Sequence, residues 1–261
     1  MQSLKFSTTE RIKITLSNIR LPWLIFTLVI FAGLIKLGVW QGSRALEKEQ
    51  RLDRIVSLQQ QNSLSLPKVL ALQKLYTEVN YTNDFPVKID GQFLPNTVFL
   101  LDNQVNKNSL GYRVYQVAQS GEHAVLVNLG WIQGSINRQE LPIVPPLVGQ
   151  FKFEGHIRFI EKGIMLTEQN FTKNKWPLRV QQIELEKFST LIGLKLLPFV
   201  VYLDKNEALG FEKNWTPIVM PPEKHRAYAF QWFSLAVAWL SLMIWASYRS
   251  GRDSDVNNKE K

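Results

Sequence analysis

Two apolar runs, one near each end, constrain what this chain can become: Leu21 to Trp40 and Tyr228 to Tyr248. Each holds about 20 residues, the length a helix rising about 1.5 Å per residue needs to cross a hydrocarbon core of roughly 30 Å. No water inside that core can satisfy backbone amides, so each run must fold as a helix. The first run is too long for a signal-peptide apolar region, and no small-x-small cleavage site follows it. The sequence instead continues through Gln41-Gly42-Ser43-Arg44 into a charged stretch. Lys36 lies about 22 Å along this span, close enough to the far interface for its stem to snorkel outward. The second run carries Trp232, Trp239 and Trp245 with a tyrosine at each end, the aromatic marking of a membrane boundary.

Charge orients the spans. The net charge of +9 suggests nucleic acid until its distribution is read. Lys5, Arg11, Lys13 and Arg20 precede the first run, and Arg249, Arg252, Lys259 and Lys261 follow the second. Basic residues flanking spans report cytoplasmic retention, and no basic stripe interleaved with aromatics tracks a phosphate backbone. Nucleic-acid binding is therefore not expected. Both termini are expected in the cytoplasm and the middle of the chain in the periplasm. The short N-terminal tail leaves little room for an Arg/Ser-rich presequence, which favours a bacterial inner membrane. The expected layout is a cytoplasmic tail (1–20), a span (21–40), a periplasmic domain (41–227) with N-terminal helices within 45–79, a second span (228–248) and a cytoplasmic tail (249–261).

The domain between the spans is expected to be mainly β. From Ala45 to about Gln60 a solvated helix continues the first span, and Pro67 opens a short helix through Leu75. Phe85–Phe93, Val98–Val105, Tyr112–Ala118, Ala124–Leu129, Gly149–Phe159 and Leu197–Leu203 then read as short strands divided by turn residues. Ile183–Ile192 reads as a helix with Gly193 as its cap. The fold class is thus membrane-anchored α+β, with two transmembrane helices flanking a mainly antiparallel sheet or small barrel and a few helices.

No enzyme signature occurs: no G-x-S-x-G, no phosphate-cradling glycine loop, no H-E-x-x-H. The chain has no cysteine, which removes disulfides and thiolate chemistry, and its four methionines are scattered. His123 and His156 each stand alone in the β region. His225 differs. At about 100° per residue it shares one helical face with Tyr228, Ala229, Trp232 and Ala236 at the mouth of the second span. A histidine, two aromatics and two alanines suit either a flat macrocycle with an imidazole ligand or a packed helix–helix interface, and the residues alone favour the latter. Met243 stands about 27 Å further along the helix, too far to be a second axial ligand. On the first span Lys36, Trp40, Arg44 and Lys48 recur every four residues. They form either an interfacial anchor or a cationic rim for carboxylates such as heme propionates.

An ordered set of short motifs resembles the Surf1 family of cytochrome oxidase assembly. It runs from Leu37-Gly38-Val39-Trp40-Gln41 with Arg44 and Lys48, through Gly91-Gln92-Phe93 and Gly111-Tyr112, to Leu126-Val127-Asn128-Leu129-Gly130-Trp131-Ile132. It closes on His225, Tyr228-Ala229 and Gln231-Trp232-Phe233. The family usually carries an arginine where this chain has Leu129; if that arginine contacts a partner, this chain lacks the contact. The resemblance implies an assembly factor rather than an enzyme, acting on oxidase subunit I with other assembly factors. It also implies a transient heme a cofactor: His225 as the iron ligand, with Tyr228, Trp232, Arg44, Trp40 and Lys36 around it. The alternative is a cofactor-free scaffold that steadies the nascent subunit.

Overall fold

The first apolar run does not stop where the apolar residues do. In the computed structural model, which describes residues 21–76, 82–137, 139–160 and 176–257 (side chains to residue 249), α1 spans Leu21–Gln59 without a break. Its 39 residues measure about 58 Å, roughly twice a hydrocarbon core. The charged continuation expected from Ala45 is thus the same helix. At the other end α4 spans Pro222–Asn257 and starts ahead of the apolar run, with Pro222 supplying a helix-compatible φ at the entry. Two helices long and apolar enough to cross a membrane therefore flank a β domain. The chain divides into a helical unit, residues 1–52 with 218–261, and a β unit, Asp53–Pro217.

Within the β unit, β1 (Leu64–Ser65) leads into α2 (Leu66–Leu75), followed by β2 (Pro86–Asn106), β3 (Ser109–Ser120), β4 (His123–Gln133) and β5 (Gly149–Arg158). Then come β6 (Leu178–Val180), α3 (Leu185–Ile192) and β7 (Leu196–Leu203). The helix expected to 79 ends at Leu75, and residues 77–79 lie outside the described ones. Antiparallel ladders join β2 to β3, β3 to β4, β5 to β7 and β5 to β2, while β4 and β7 run parallel. The circuit β2-β3-β4-β7-β5 returns to β2, so of the two arrangements expected the sheet takes the small barrel.

Period-two alternation sorts the side chains. Val125, Val127 and Leu129 of β4, and Phe199, Val201 and Leu203 of β7, join one core with Ile89, Phe93 and Phe153. The intervening Leu126, Val200 and Tyr202 join a second core under α3, where Phe188 stacks on Phe99 at 4.1 Å between ring centroids. Gly193 ends α3 in the left-handed conformation, as expected.

The two strands expected at Phe85–Phe93 and Val98–Val105 form one strand, β2. Pro95-Asn96 does break the register, and Asn96 takes φ of 56°, but pairing with β3 resumes after the shift between Phe93 and Val98. The Thr97 hydroxyl bridges the gap. It donates to the Leu94 carbonyl at 2.6 Å and accepts the Val117 amide at 3.3 Å. Gln116, fully buried, ties the segment before β5 to β2, donating to the Leu94 and Leu147 carbonyls and accepting the Leu147 amide.

The Asn128-Leu129-Gly130-Trp131 motif builds a bulge. Tyr115 faces Asn128 and Val114 faces Gly130, which leaves Leu129 as the extra residue. Asn128 Oδ1 accepts the Gly130 amide at 2.9 Å, and Asn128 Nδ2 donates to the Tyr115 hydroxyl at 3.4 Å. Past the bulge the segment at 210–212 takes over the pairing: the Phe211 amide donates to the Leu129 carbonyl and the Trp131 amide to the Glu212 carbonyl. Gly130 sits at φ of 114°, and a Cβ there would come within 2.8 Å of the Phe211 and Glu212 backbone. The Leu129 side chain is only 2% exposed, in the barrel core, where no partner can touch it.

Candidate functional site

His225 lies on the first turns of α4, and 8% of it is exposed. Its Nδ1 stands 2.7 Å from Gln41 Oε1 on α1. A carboxamide oxygen can only accept, so Nδ1 carries the proton, and in the neutral ring Nε2 carries the lone pair. The hydrogen bond sits in a seam of small residues. Ala45 on α1 and Ala229 and Ala236 on α4 are buried, and a Cβ on Gly38 would meet the Phe233 ring at 2.6 Å. Small residues allow two helices to approach closely in lipid, where apolar burial alone brings no attraction. Further along, Trp239 Nε1 donates to the Thr27 carbonyl at 3.2 Å, and Phe26 meets Trp239 edge to face.

Charges gather at the same end of the helix pair. Arg226 on α4 pairs with Glu49 on α1 at 2.6 Å, and Arg44 pairs with Glu47 at 2.6 Å. Glu47, beyond the apolar run, is held below the usual carboxylate range, first by the Arg44 hydrogen bond. The charges of Arg44 and Lys48 add to this against some desolvation.

The other residues singled out in the sequence divide by face. Trp232 is half-buried and Tyr228 is 44% exposed, flanking the seam on α4. Lys36 and Trp40 each stand two residues from Gly38, about 200° round α1 from the packed face, and both are exposed. Arg44 stands one residue from Ala45, about 100° round, with its guanidinium 5.8 Å from the Trp40 ring centroid. Histidine and arginine thus lie near one end of the seam, while Lys36 points away from α4. Gln41 was missed as a functional residue. Its signals were its place at the end of the Leu37-Gly38-Val39-Trp40-Gln41 motif and the Gly38, Gln41, Ala45 row at spacings of three and four, which marks one helical face.

The remaining histidines differ from each other. His123 is exposed. His156 is partly exposed: Nδ1 contacts Asp204 Oδ1 at 3.1 Å and the ring lies against Trp215 with centroids 4.5 Å apart. Among the described residues no three His, Asp or Glu side chains converge as a metal site. One imidazole cannot hold a bare ion, but it can hold a metal that brings its own equatorial ligands, as a porphyrin iron does.

Two comparisons bear on this arrangement. The model of the SURF1 family matches residues 28–237. A SURF1-like protein of Rickettsia prowazekii (strain Madrid E) is 27% identical over 243 residues, covering 90% of this chain and 93% of the relative. The family match takes in most of α1, the whole β unit and the first turns of α4.

Proposed function

The chain belongs to the SURF1 family, a family linked to cytochrome oxidase assembly, and from that premise we propose that it is an assembly factor for a heme-copper (cytochrome c) oxidase. In this reading it catalyses no reaction and assists the delivery of heme a to subunit I, alongside other assembly factors. It sits in the bacterial inner membrane with both termini in the cytoplasm and the β unit in the periplasm. Heme a is the cargo, and an iron already carrying four ring nitrogens needs only an axial donor from the protein.

The observation that carries the proposal is the Gln41–His225 hydrogen bond, which leaves Nε2 as the lone-pair nitrogen. Tyr228 and Trp232 offer flat walls beside it. Arg44 can exchange its exposed partner Glu47 for a propionate at little cost, since solvent screens a surface ion pair of this kind. Lys36 and Trp40 supply the cationic and aromatic rim at the membrane surface on the far side of α1. A second reading, a cofactor-free scaffold for subunit I, is favoured by the burial of Ala229 and Ala236, which fills with α1 the face where a macrocycle would lie. Purification from heme-a-producing cells followed by visible spectroscopy separates the two. A stoichiometric Soret band that disappears in His225→Ala supports delivery, and a colourless, active protein supports the scaffold.

A further inference from the structure

We infer that Gln41 is a positioning residue: it selects the tautomer of His225 and thereby commits Nε2, not Nδ1, to an incoming ligand. The inference rests on the delivery reading for what binds, but its first test does not.

The geometry is specific. Gln41 and His225 are 184 positions apart, on different helices, and meet at 2.7 Å. Around them Gly38, Ala45 and Ala229 are buried, and His225 is itself buried, so the imidazole cannot readily exchange its partner for water. A buried imidazole left to itself can place its proton on either nitrogen. With a carboxamide oxygen fixed beside Nδ1, the Nδ1–H form gains a hydrogen bond that the Nε2–H form cannot make. The converse arrangement, in which the Gln41 amide donates to Nδ1, would put the proton on Nε2 and close that nitrogen to a metal. One contact therefore decides whether the histidine is a ligand.

The choice of glutamine has a chemical consequence. Histidines that hold a resident metal commonly donate their second nitrogen to a carboxylate, which raises the basicity of the ligating nitrogen. A neutral amide polarises the ring less and adds no charge to a seam at the membrane boundary. The resulting donor is oriented without the added electron push of a carboxylate, which suits a group that must leave again. The residue that would tighten the grip is one atom-type away: Gln41→Glu keeps the reach and substitutes a carboxylate.

Nitrogen-15 NMR of the intact, detergent-solubilised protein with labelled histidine, without heme, reads the tautomer directly. The expected result is an Nδ1–H signal for His225 in the wild type and a shift toward mixed tautomers in Gln41→Leu. An Nε2–H tautomer in the wild type overturns the inference, whatever the fate of the delivery reading. Heme-loaded protein gives the second measurement. In the ferrous five-coordinate state the iron–histidine stretching band should rise in Gln41→Glu and fall in Gln41→Leu. Transfer of heme to apomyoglobin should quicken roughly 10–100-fold in Gln41→Leu and slow in Gln41→Glu. Identical bands and transfer rates in all three proteins overturn the inference while leaving delivery intact. If His225→Ala retains full heme, the delivery reading fails and the tautomer measurement alone decides the role of Gln41.

Discussion

Truncating Trp131 should unfold the β unit rather than merely disarm it. The indole is 8% exposed, its Nε1–H donates to the Gln104 carbonyl at 2.8 Å, and its ring faces Gly111, where any Cβ would come within 2.7 Å. Trp131→Ala removes the ring from a site whose floor is backbone and therefore cannot collapse to fill the space. Loss of the buried surface and the cavity together cost about 3–5 kcal/mol. The Gln104 carbonyl loses its donor as well, adding about 1 kcal/mol. A domain of this size has about 5–15 kcal/mol in hand, so the variant should stand near its folding threshold. Trp131→Phe keeps most of the apolar volume and loses the hydrogen bond, so its cost should be about 1–2 kcal/mol. Thermal unfolding of the solubilised protein should rank wild type, Trp131→Phe, then Trp131→Ala. A loss of about 4 kcal/mol corresponds to roughly 8–16 °C. Membrane abundance should fall in the same order. Trp131→Ala protein that is abundant and unfolds at the wild-type temperature, yet fails to support oxidase activity, would refute this reasoning and make the indole a contact for a partner.

Four further outcomes follow from the geometry. Alkaline phosphatase fused after Gly134 should be active and the same fusion after Arg249 inactive; the opposite pattern reverses the topology. His225→Ala should remain inserted and abundant while losing co-purified heme a and part of the oxidase activity, read by spectrum and oxygen uptake. Gly38→Leu should force the Phe233 ring aside and part the helices, lowering the unfolding temperature of the solubilised protein, and Phe233→Ala in the same chain should recover part of the loss. Glu212 is held below its usual 4.5, first by hydrogen bonding to Asn106 and then to Lys107, so its contribution is present above that value and lost as the pH falls through the lower folded one. Glu212→Gln should therefore flatten the acid limb of the stability profile between those two values.

The membrane helices were the most legible part of the sequence because length and apolarity alone specify them. The barrel strands were legible where alternation is strict, as in β4 and β7, and misread where a side chain replaces the backbone. Pro95-Asn96 is sound turn chemistry, but the Thr97 hydroxyl carries the ladder across it, and no local pattern announces that. β1 and β6 were missed because two or three residues cannot show a period. The parallel pairing of β4 with β7 joins segments far apart in the chain, so periodicity gives their faces and not their partners. The seam shows the same limit. His225 stood out by its place on α4, whereas Gln41 looked like one more polar residue after a span until the fold set it against a histidine 184 positions away.

Closure of the barrel has a bearing on how this protein meets others. Each of the five circuit strands has a neighbour on both sides for at least part of its length. In the proposed role the chain would handle unfinished subunits, whose exposed strands and backbone add to any open sheet by main-chain pairing regardless of sequence. Among the described residues the ring of pairings leaves such chains only parts of strands as a template. Recognition in that role then falls to side chains on the outer surface, where single substitutions can adjust it.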